Sequence, residues 1–522
     1  MVLIVNNEAY NVQGGNLLNI LLEVGAFVDA PCAGKGRCGK CRVNAGGALS
    51  APTPSEQRLL SANELAGGVR LACETTVLGD AAVTLLTHGD INAQEDGAVL
   101  DYAVDMSFLP SKPISMAVDI GTTTVVAYFD DISTGKHLYT ASGINGQRVY
   151  GADVISRIGA CIDNPEALLA QQKIIIAQLN RYINDFTLAT GFLPASIGRV
   201  VIVGNTTMQH LLCALNPAGI ASAPFTPSSL FGYKQSAAEL CLCVECEVYH
   251  APSISAYVGA DITAGLFASG AAEGTKAVLY IDIGTNGEMA LASGESLVCC
   301  STAAGPAFEG AHIKRGVGGV AGAIAEVYAE DNMLKTKTIG GLPPIGICGS
   351  GIIDAAAAVL SAGGIDETGR ILDIDEAEGF ITAYINEADS EILLDKASGI
   401  AFTQQDIREV QLAKAAIAAG VNTLLHAQGL TYTDIDKLYI AGGFGAHINK
   451  SSACVIGLLP EALEDKIIFI GNAAGMGAQR VALTANGTAE IEKIAARAKY
   501  IELSGHAFFQ DDYIEQMMFC VE

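Results

Sequence analysis

The sequence predicts an α/β protein of several domains: a small β-rich unit at the N-terminus, a linker, and two larger lobes built to one plan. Three observations predict it. Half of the 522 residues are apolar and only 16% are charged, which suits a Gly- and Ala-rich folded chain with more than one core and excludes disorder. Cys32, Cys38, Cys41 and Cys73 gather around one glycine-rich loop near the N-terminus. One pattern, an apolar strand ending in Asp-Ile-Gly-Thr and followed by a second apolar strand, occurs twice, at Asp119 and at Asp282.

In the first unit, Val2–Val5 and Ala9–Val12 read as strands around an Asn6-Asn7 turn. A short amphipathic helix follows, with Leu17, Leu18, Leu21 and Leu22 on one side. The loop from Ala30 to Cys41 carries three cysteines, a strand runs from Cys41 to Val43, and Cys73 opens another strand. Three thiols in a tight loop, closed by a distant fourth, resemble the [2Fe–2S] ligand set of plant-type and related ferredoxins. The first gap here is five residues, where the plant spacing has four. Gly34, Gly36 and Gly39 let the backbone close around such a cluster and aim N–H groups at its sulfurs. A zinc-thiolate loop is the competing reading, although zinc sites usually show two paired-cysteine knuckles and only one is present. Lys35, Arg37, Lys40 and Arg42 surround the cysteines. They either compensate the cluster's charge or form a docking collar for an acidic redox partner.

Composition turns polar and turn-rich from Gly89 to Gly97, and Pro110 and Pro113 precede a new strand, which predicts a linker. The expected division is 1–87 for the cysteine domain, 88–113 for the linker, 114–275 for the first lobe, and 276–522 for the second, larger lobe with a C-terminal cap.

The repeated pattern carries the chemistry of the lobes. Met116 to Phe129 and Leu279 to Leu291 each read as strand, acidic Gly-Thr turn and strand. Such a hairpin sets a carboxylate beside exposed N–H groups and hydroxyls. Phosphate oxygens suit the donors, and hydrated Mg²⁺ suits the carboxylate. Other pieces follow in a consistent order. Arg199 to Gly204 is a buried strand running into Asn205-Thr206-Thr207. Pro252 to Gly265 reads as a strand and a small-residue helix start. Gly349-Ser350-Gly351 opens a helix, Lys437 to Ala441 is a strand ending at Gly442-Gly443-Phe444, and Gly475–Gly477 begins a second small-residue helix.

This order resembles the actin, sugar-kinase and chaperone ATPase superfamily, whose two lobes are ribonuclease-H-like. The resemblance implies a first phosphate hairpin at Asp119, Gly121, Thr122, Thr123 and Thr124, and a second at Asp282, Gly284, Thr285, Asn286 and Gly287. It implies further nucleotide contacts at Gly349 and Ser350, an adenosine segment at Gly442, Gly443 and Phe444, and lobe-connecting helices near Gly259–Asp261 and Gly475–Gly477. Asp119 and Asp282 are the expected Mg²⁺ and phosphate carboxylates. Asp261 and Glu309 are the candidates for the base that activates water.

An iron–sulfur domain fused to such an ATPase resembles the reductive activators of corrinoid proteins. The resemblance implies an ATP-dependent enzyme with [2Fe–2S], ATP and Mg²⁺ as cofactors. It would return one electron to an inactive cobalt(II) corrinoid protein in anaerobic methyl transfer, would be served by an upstream low-potential donor, and would form a homodimer. The alternatives are a low-potential reductase of a non-corrinoid protein, a redox-sensing nucleotide-binding regulator, and a small-molecule kinase with an added redox domain.

Charge narrows the partners. A net charge of −26 argues against nucleic acid and against an anionic membrane surface. The N-terminus lacks the basic start of a secretory signal, and the longest charge-free stretch, Val200 to Tyr233, is broken by Asn205, Gln209, Asn216 and prolines. A reducing cytoplasm is expected, since fourteen cysteines in so long a chain do not read as a disulfide scaffold. The run Cys241-Leu242-Cys243-Val244-Glu245-Cys246, with His250, reads as a strand with small apolar thiols or as a second metal site. Cys299, Cys300 and Cys348 read as core. Asp406 to Gly429 reads as a core helix, with Val410, Leu412, Ile417 and Leu424 inside. Phe508, Phe509, Tyr513 and Met517 would cap the large lobe or meet a second copy.

Overall fold

The structure is a computed structural model and describes residues 1–24, 26, 28, 30, 32, 34–86, 111–310, 312–442 and 448–519. Most of the expected linker, together with Gly443 and Phe444, lies outside the described residues.

The N-terminal unit is a mixed sheet folded over one helix. Its strand order is Glu8–Asn11, Val2–Val5, Thr76–Leu85, Arg42–Leu49 and Val69–Leu71, with Val2–Val5 parallel to Thr76–Leu85. Asn6 and Asn7 both have positive φ, the geometry of a tight two-residue hairpin turn. The helix Leu17–Glu23 buries Leu17, Leu18, Ile20 and Leu21; Ile20, three residues from Leu17, shares its buried face, and Leu22 is half-buried. Cys73 lies in the turn between Val69–Leu71 and Thr76–Leu85, not at a strand start. A buried carboxylate secures that turn. Glu56 accepts hydrogen bonds from Arg70 Nε at 2.8 Å and from the N–H groups of Leu71 and Thr53, both at 2.9 Å. Burial opposes its charge, but these donors hold its pKa below the usual value.

The two lobes repeat one topology. In the first, the antiparallel strands Lys136–Ile144, Thr124–Asp131 and Ile114–Ile120 are continued by the parallel strands Ile197–Gly204 and Glu247–His250. In the second, Ser296–Thr302, Gly287–Ser293 and Ala277–Ile283 are continued by Ile435–Ala441 and Ile467–Gly471 in the same senses. The central strands are almost wholly apolar because helices cover both faces. Two strand expectations fail. Pro252 to Ser255 is loop, the strand being Glu247–His250; Pro252 has no N–H to donate to a ladder. Cys241 to Cys246 is a series of turns with Cys241 at φ 56°, so the polar–apolar alternation there marks bends instead of a pleat.

Two small-residue helices join the lobes. Ala260–Ser269 follows the first sheet, Ala473–Leu483 follows the second, and the pair cross in contact. Gly477 permits the crossing, because a Cβ there would sit 2.1 Å from the Ala264 carbonyl oxygen. The core around this crossing draws on both sheets, including Ala117 and Val203 of the first and Tyr280 and Ala290 of the second.

The helix Gln404–Gln428 buries Val410, Ile417 and Leu424, as expected, but leaves Leu412 half-buried. The C-terminal segment caps it. Phe508 stacks on His426 at 4.2 Å, Asn422 Nδ2 donates to Asp512 at 2.8 Å, and Phe509 and Tyr513 pack on the large-lobe core. Cys299 and Cys300 are buried in their strand, and Cys348 is buried at the start of the helix Gly349–Ser361. No helix among the described residues is long and apolar enough to cross a membrane.

Candidate functional site

The cysteines come together as two pairs. Cys41 Sγ and Cys73 Sγ are 3.3 Å apart, and Cys32 and Cys38 are hydrogen-bonded through their thiols. A two-iron cluster needs two thiolates per iron, so pairs fit it better than convergence on one point. Among the described residues no group of three or more His, Cys, Asp or Glu side chains converges on a single point. The loop also supplies donors. Burial raises the Cys32 thiol, but the N–H groups of Arg37, Cys38 and Lys35 outweigh it and bring the pKa below its usual value. Gly34, Gly36 and Gly39 all have positive φ, which turns these N–H groups inward. Cys41 falls to about 7, chiefly because Cys73 hydrogen-bonds to it, and Cys73 rises correspondingly; burial pushes Cys38 up to about 11. Each pair thus holds one thiol whose pKa lies below its usual value. Lys35, Arg37 and Lys40 are exposed, whereas Arg42 is engaged by Glu64, Gly39 O and Leu59 O and leaves the basic collar.

The second centre lies where the lobes meet. Gly121 N donates to Thr124 O at 2.9 Å and Gly284 N to Asn286 O at 3.0 Å, closing the two hairpins. Asn145 Nδ2 braces the first at Gly121 O, Asn205 Nδ2 binds the Thr122 hydroxyl at 2.9 Å, and the buried Arg157 reaches Thr122 O. Asp119 and Asp282 end their strands on the facing sheets. Burial and the neighbouring Asp261 raise Asp119 to about 7; burial, Asp261 and Asp119 raise Asp282 to about 7. Burial brings Asp261 to about 6. Glu288, which stands opposite Asp282 in the hairpin register, is driven well above its usual value by burial, Asp261 and Asp282. The charges that raise Asp119, Asp282 and Glu288 come from within this cluster, whereas Asp261 is raised by burial alone. The hydroxyl of Tyr280, fully buried and raised by burial and by all four, has no hydrogen-bond partner among the described residues. A buried carboxyl cluster beside an orphaned hydroxyl offers oxygen ligands of the kind a hydrated divalent cation takes. Mg²⁺ keeps several waters and takes only one or two carboxylates directly.

Glu309 ties the hairpins together. Thr285 Oγ1 donates to its Oε1 at 2.6 Å and Thr123 Oγ1 to its Oε2 at 3.4 Å. Gly442 follows Ala441, the register partner of Asp282, and its N–H donates to Gly471 O at 3.1 Å. The helix Gly349–Ser361 begins without a side-chain cap, while the Ser350 hydroxyl is turned to Ala325 O at 2.9 Å.

The chain matches the model of the RACo middle region over residues 114–273 and that of the C-terminal domain of RACo, the ASKHA domain, over 276–522. It is 35% identical over 439 residues to the corrinoid activation enzyme RamQ of Eubacterium limosum, covering 79% of this chain and 72% of the relative. It belongs to the RACo family of corrinoid-protein activators. It is also 24% identical over 446 residues to a Methanosarcina barkeri protein named [Co(II) methylated amine-specific corrinoid protein] reductase, covering 77% of this chain and 76% of that one. A solved structure titled reductive activator for corrinoid, iron–sulfur protein superposes with a TM-score of 0.70 at 30% identity, covering 99% of this chain and 98% of its own.

For this RACo-family chain, the hairpin residues named from the sequence share one interlobe centre. Glu288, Tyr280 and Asn472 were missed. Glu288 had a signal, since it is a carboxylate where the first copy has Val125. Tyr280 reads as an ordinary strand aromatic, and Asn472, which hydrogen-bonds to Asp119, reads as a helix cap, which it also is.

Proposed function

We propose that this chain restores a corrinoid protein to its cobalt(I) state in an ATP-dependent, one-electron reduction. The corrinoid cobalt(II) is the substrate, and it gains one electron with no bond made or broken in the chain. The observation that carries the reading is the presence, in a corrinoid-activator chain, of two thiol pairs and an interlobe carboxylate cluster.

Cys32, Cys38, Cys41 and Cys73 would hold a [2Fe–2S] cluster, which when bound supplies the single electron. Their loop N–H groups stabilise negative charge on the sulfurs. Asp119 and Asp282 would hold Mg²⁺ through its waters, and Thr122–Thr124 and Thr285–Gly287 would receive the phosphates of ATP. Asp261, at about 6, is matched to orient and deprotonate an attacking water near neutral pH. Gly442, with Gly443 and Phe444, would face the adenosine. The proposed division is a cysteine domain over 1–87, a linker over 88–113, and lobes over 114–275 and 276–522. A low-potential donor, a homodimer and a cytoplasmic setting complete the proposal.

ATP has a physical role here. The cobalt(II)/cobalt(I) couple lies at very low potential, and each ~59 mV of uphill one-electron transfer costs roughly 1.4 kcal/mol. Lobe closure coupled to nucleotide state can offset that through differential affinity for the corrinoid protein's states.

The test uses the reduced full-length chain with a cobalt(II) corrinoid protein, followed by visible absorbance. Cobalt(I) is expected only when ATP, Mg²⁺ and reductant are all present. Equal cobalt(I) formation without ATP would sink the reading.

The carboxylate cluster adds a pH prediction. A carboxyl whose folded pKa is raised contributes stability below its unfolded value, and that stability is lost as pH rises through the folded pKa. The Mg²⁺-free chain should therefore lose thermal stability between about pH 4 and about pH 7, following Asp261, Asp119 and Asp282. Mg²⁺ should raise the melting temperature more at pH 8 than at pH 5.5, because binding competes with protons. Thermal melts with Mg²⁺ or chelator across this range check it; an equal rise at both pH values would count against the site.

A further inference from the structure

The contact between Glu309 and the two hairpins reaches beyond a generic base. Glu309 ends the short turn Pro306–Glu309, whose Ala307 and Phe308 are buried in the large-lobe core. The carboxylate is thus presented from the second lobe. One oxygen takes the Thr285 hydroxyl of its own lobe, and the other takes the Thr123 hydroxyl of the first lobe, 186 residues away in sequence. Both threonines sit in the turns that would receive phosphate. A carboxylate and a phosphate offer hydroxyl donors the same anionic acceptor oxygens. We infer that Glu309 is a carboxylate clasp that stands in for the terminal phosphate of the nucleotide, tying the two hairpins together until the phosphate displaces it. This rests on the reading of the hairpins as the nucleotide site.

The clasp has two consequences. Nucleotide binding must first break the two hydroxyl–carboxylate bonds, so intrinsic affinity is partly masked. When the terminal phosphate leaves, the clasp re-forms across the same donors and helps to clear the site. The interlobe tie is therefore exchanged between protein and nucleotide, and the lobes keep a connection in both states.

Glu309→Gln keeps the shape and removes the charge; Glu309→Ala removes the acceptor as well. Both full-length variants should bind Mg-ATP more tightly by calorimetry, about tenfold for the alanine variant, consistent with loss of a charge-assisted hydrogen-bond pair. The gain should be smaller for ADP and absent for adenosine. Without nucleotide, amide hydrogen exchange in the hairpin segments 119–126 and 282–289 should quicken in Glu309→Ala, and with ATP it should match the unaltered chain. A merely structural defect would weaken all three ligands alike. Unchanged ATP affinity with slowed turnover would overturn the clasp in favour of a base role for Glu309. Equal gains for ATP and ADP would overturn the assignment to the terminal phosphate. Failure of the unaltered chain to bind ATP would overturn the underlying nucleotide reading, and the clasp with it.

Discussion

Cys38→Ala is expected to abolish the cluster's visible absorbance and electron paramagnetic signal, and corrinoid reduction with them, while nucleotide binding persists. The pairing explains the size of the effect. Among the described residues Cys38 is the thiol hydrogen-bonded to Cys32, so its loss leaves that pair with one sulfur. An iron held by a single thiolate is open to water and dissociates. The damage should stay local. The N-terminal unit has its own core, built on Leu3, Leu17, Leu21, Val43 and Leu71, and none of these residues belongs to the lobe cores. The Glu56–Arg70 pair that secures the Cys73 turn is also untouched. Iron content, visible spectra and ATP-dependent cobalt(I) formation measure the outcome. A Cys38→Ala chain that still yields cobalt(I) at the normal rate would remove the cysteine loop from the electron path.

What the sequence disclosed and what it hid follow from how local each signal is. The Asp-Ile-Gly-Thr hairpins were legible because turn, strand period and carboxylate lie within a few residues, and the second copy supports the first. The cysteine loop was legible for the same reason, although its partition into pairs needed the fold. Cys241 to Cys246 misled because alternation of polarity is shared by strands and by successive turns, and the positive φ at Cys241 has no sequence mark without a glycine. Glu288 was overlooked because its role comes from standing opposite Asp282 across the hairpin. Arg42 read as part of a basic collar because Glu64, its partner, is distant in sequence. The tie from Glu309 to Thr123 was beyond any local pattern, since it exists only once the two lobes face each other.

Asp119→Ala should produce the opposite split. The cluster spectrum should remain, and ATP-dependent cobalt(I) formation should fall on the order of 10²-fold or more, the scale of losing one preorganised electrostatic contact to a transferring phosphoryl group. The same change should not destabilise the chain. Asp119 is held at about 7 by burial and by Asp261, and in turn it raises Asp282. Removing it relieves the repulsion it exerts on Asp282 and feels from Asp261, so at pH 8 without Mg²⁺ the variant should melt higher than the unaltered chain. At pH 5.5, where these groups are largely protonated in both proteins, the difference should vanish. Mg²⁺ should then stabilise the unaltered chain more than the variant. A group that costs stability and yet is needed for activity is the signature of a functional carboxylate; a structural one would lose stability and activity together. If Asp119→Ala melts lower at pH 8 and keeps ATP-dependent cobalt(I) formation, the interlobe carboxylates are scaffolding, and the nucleotide centre must lie elsewhere.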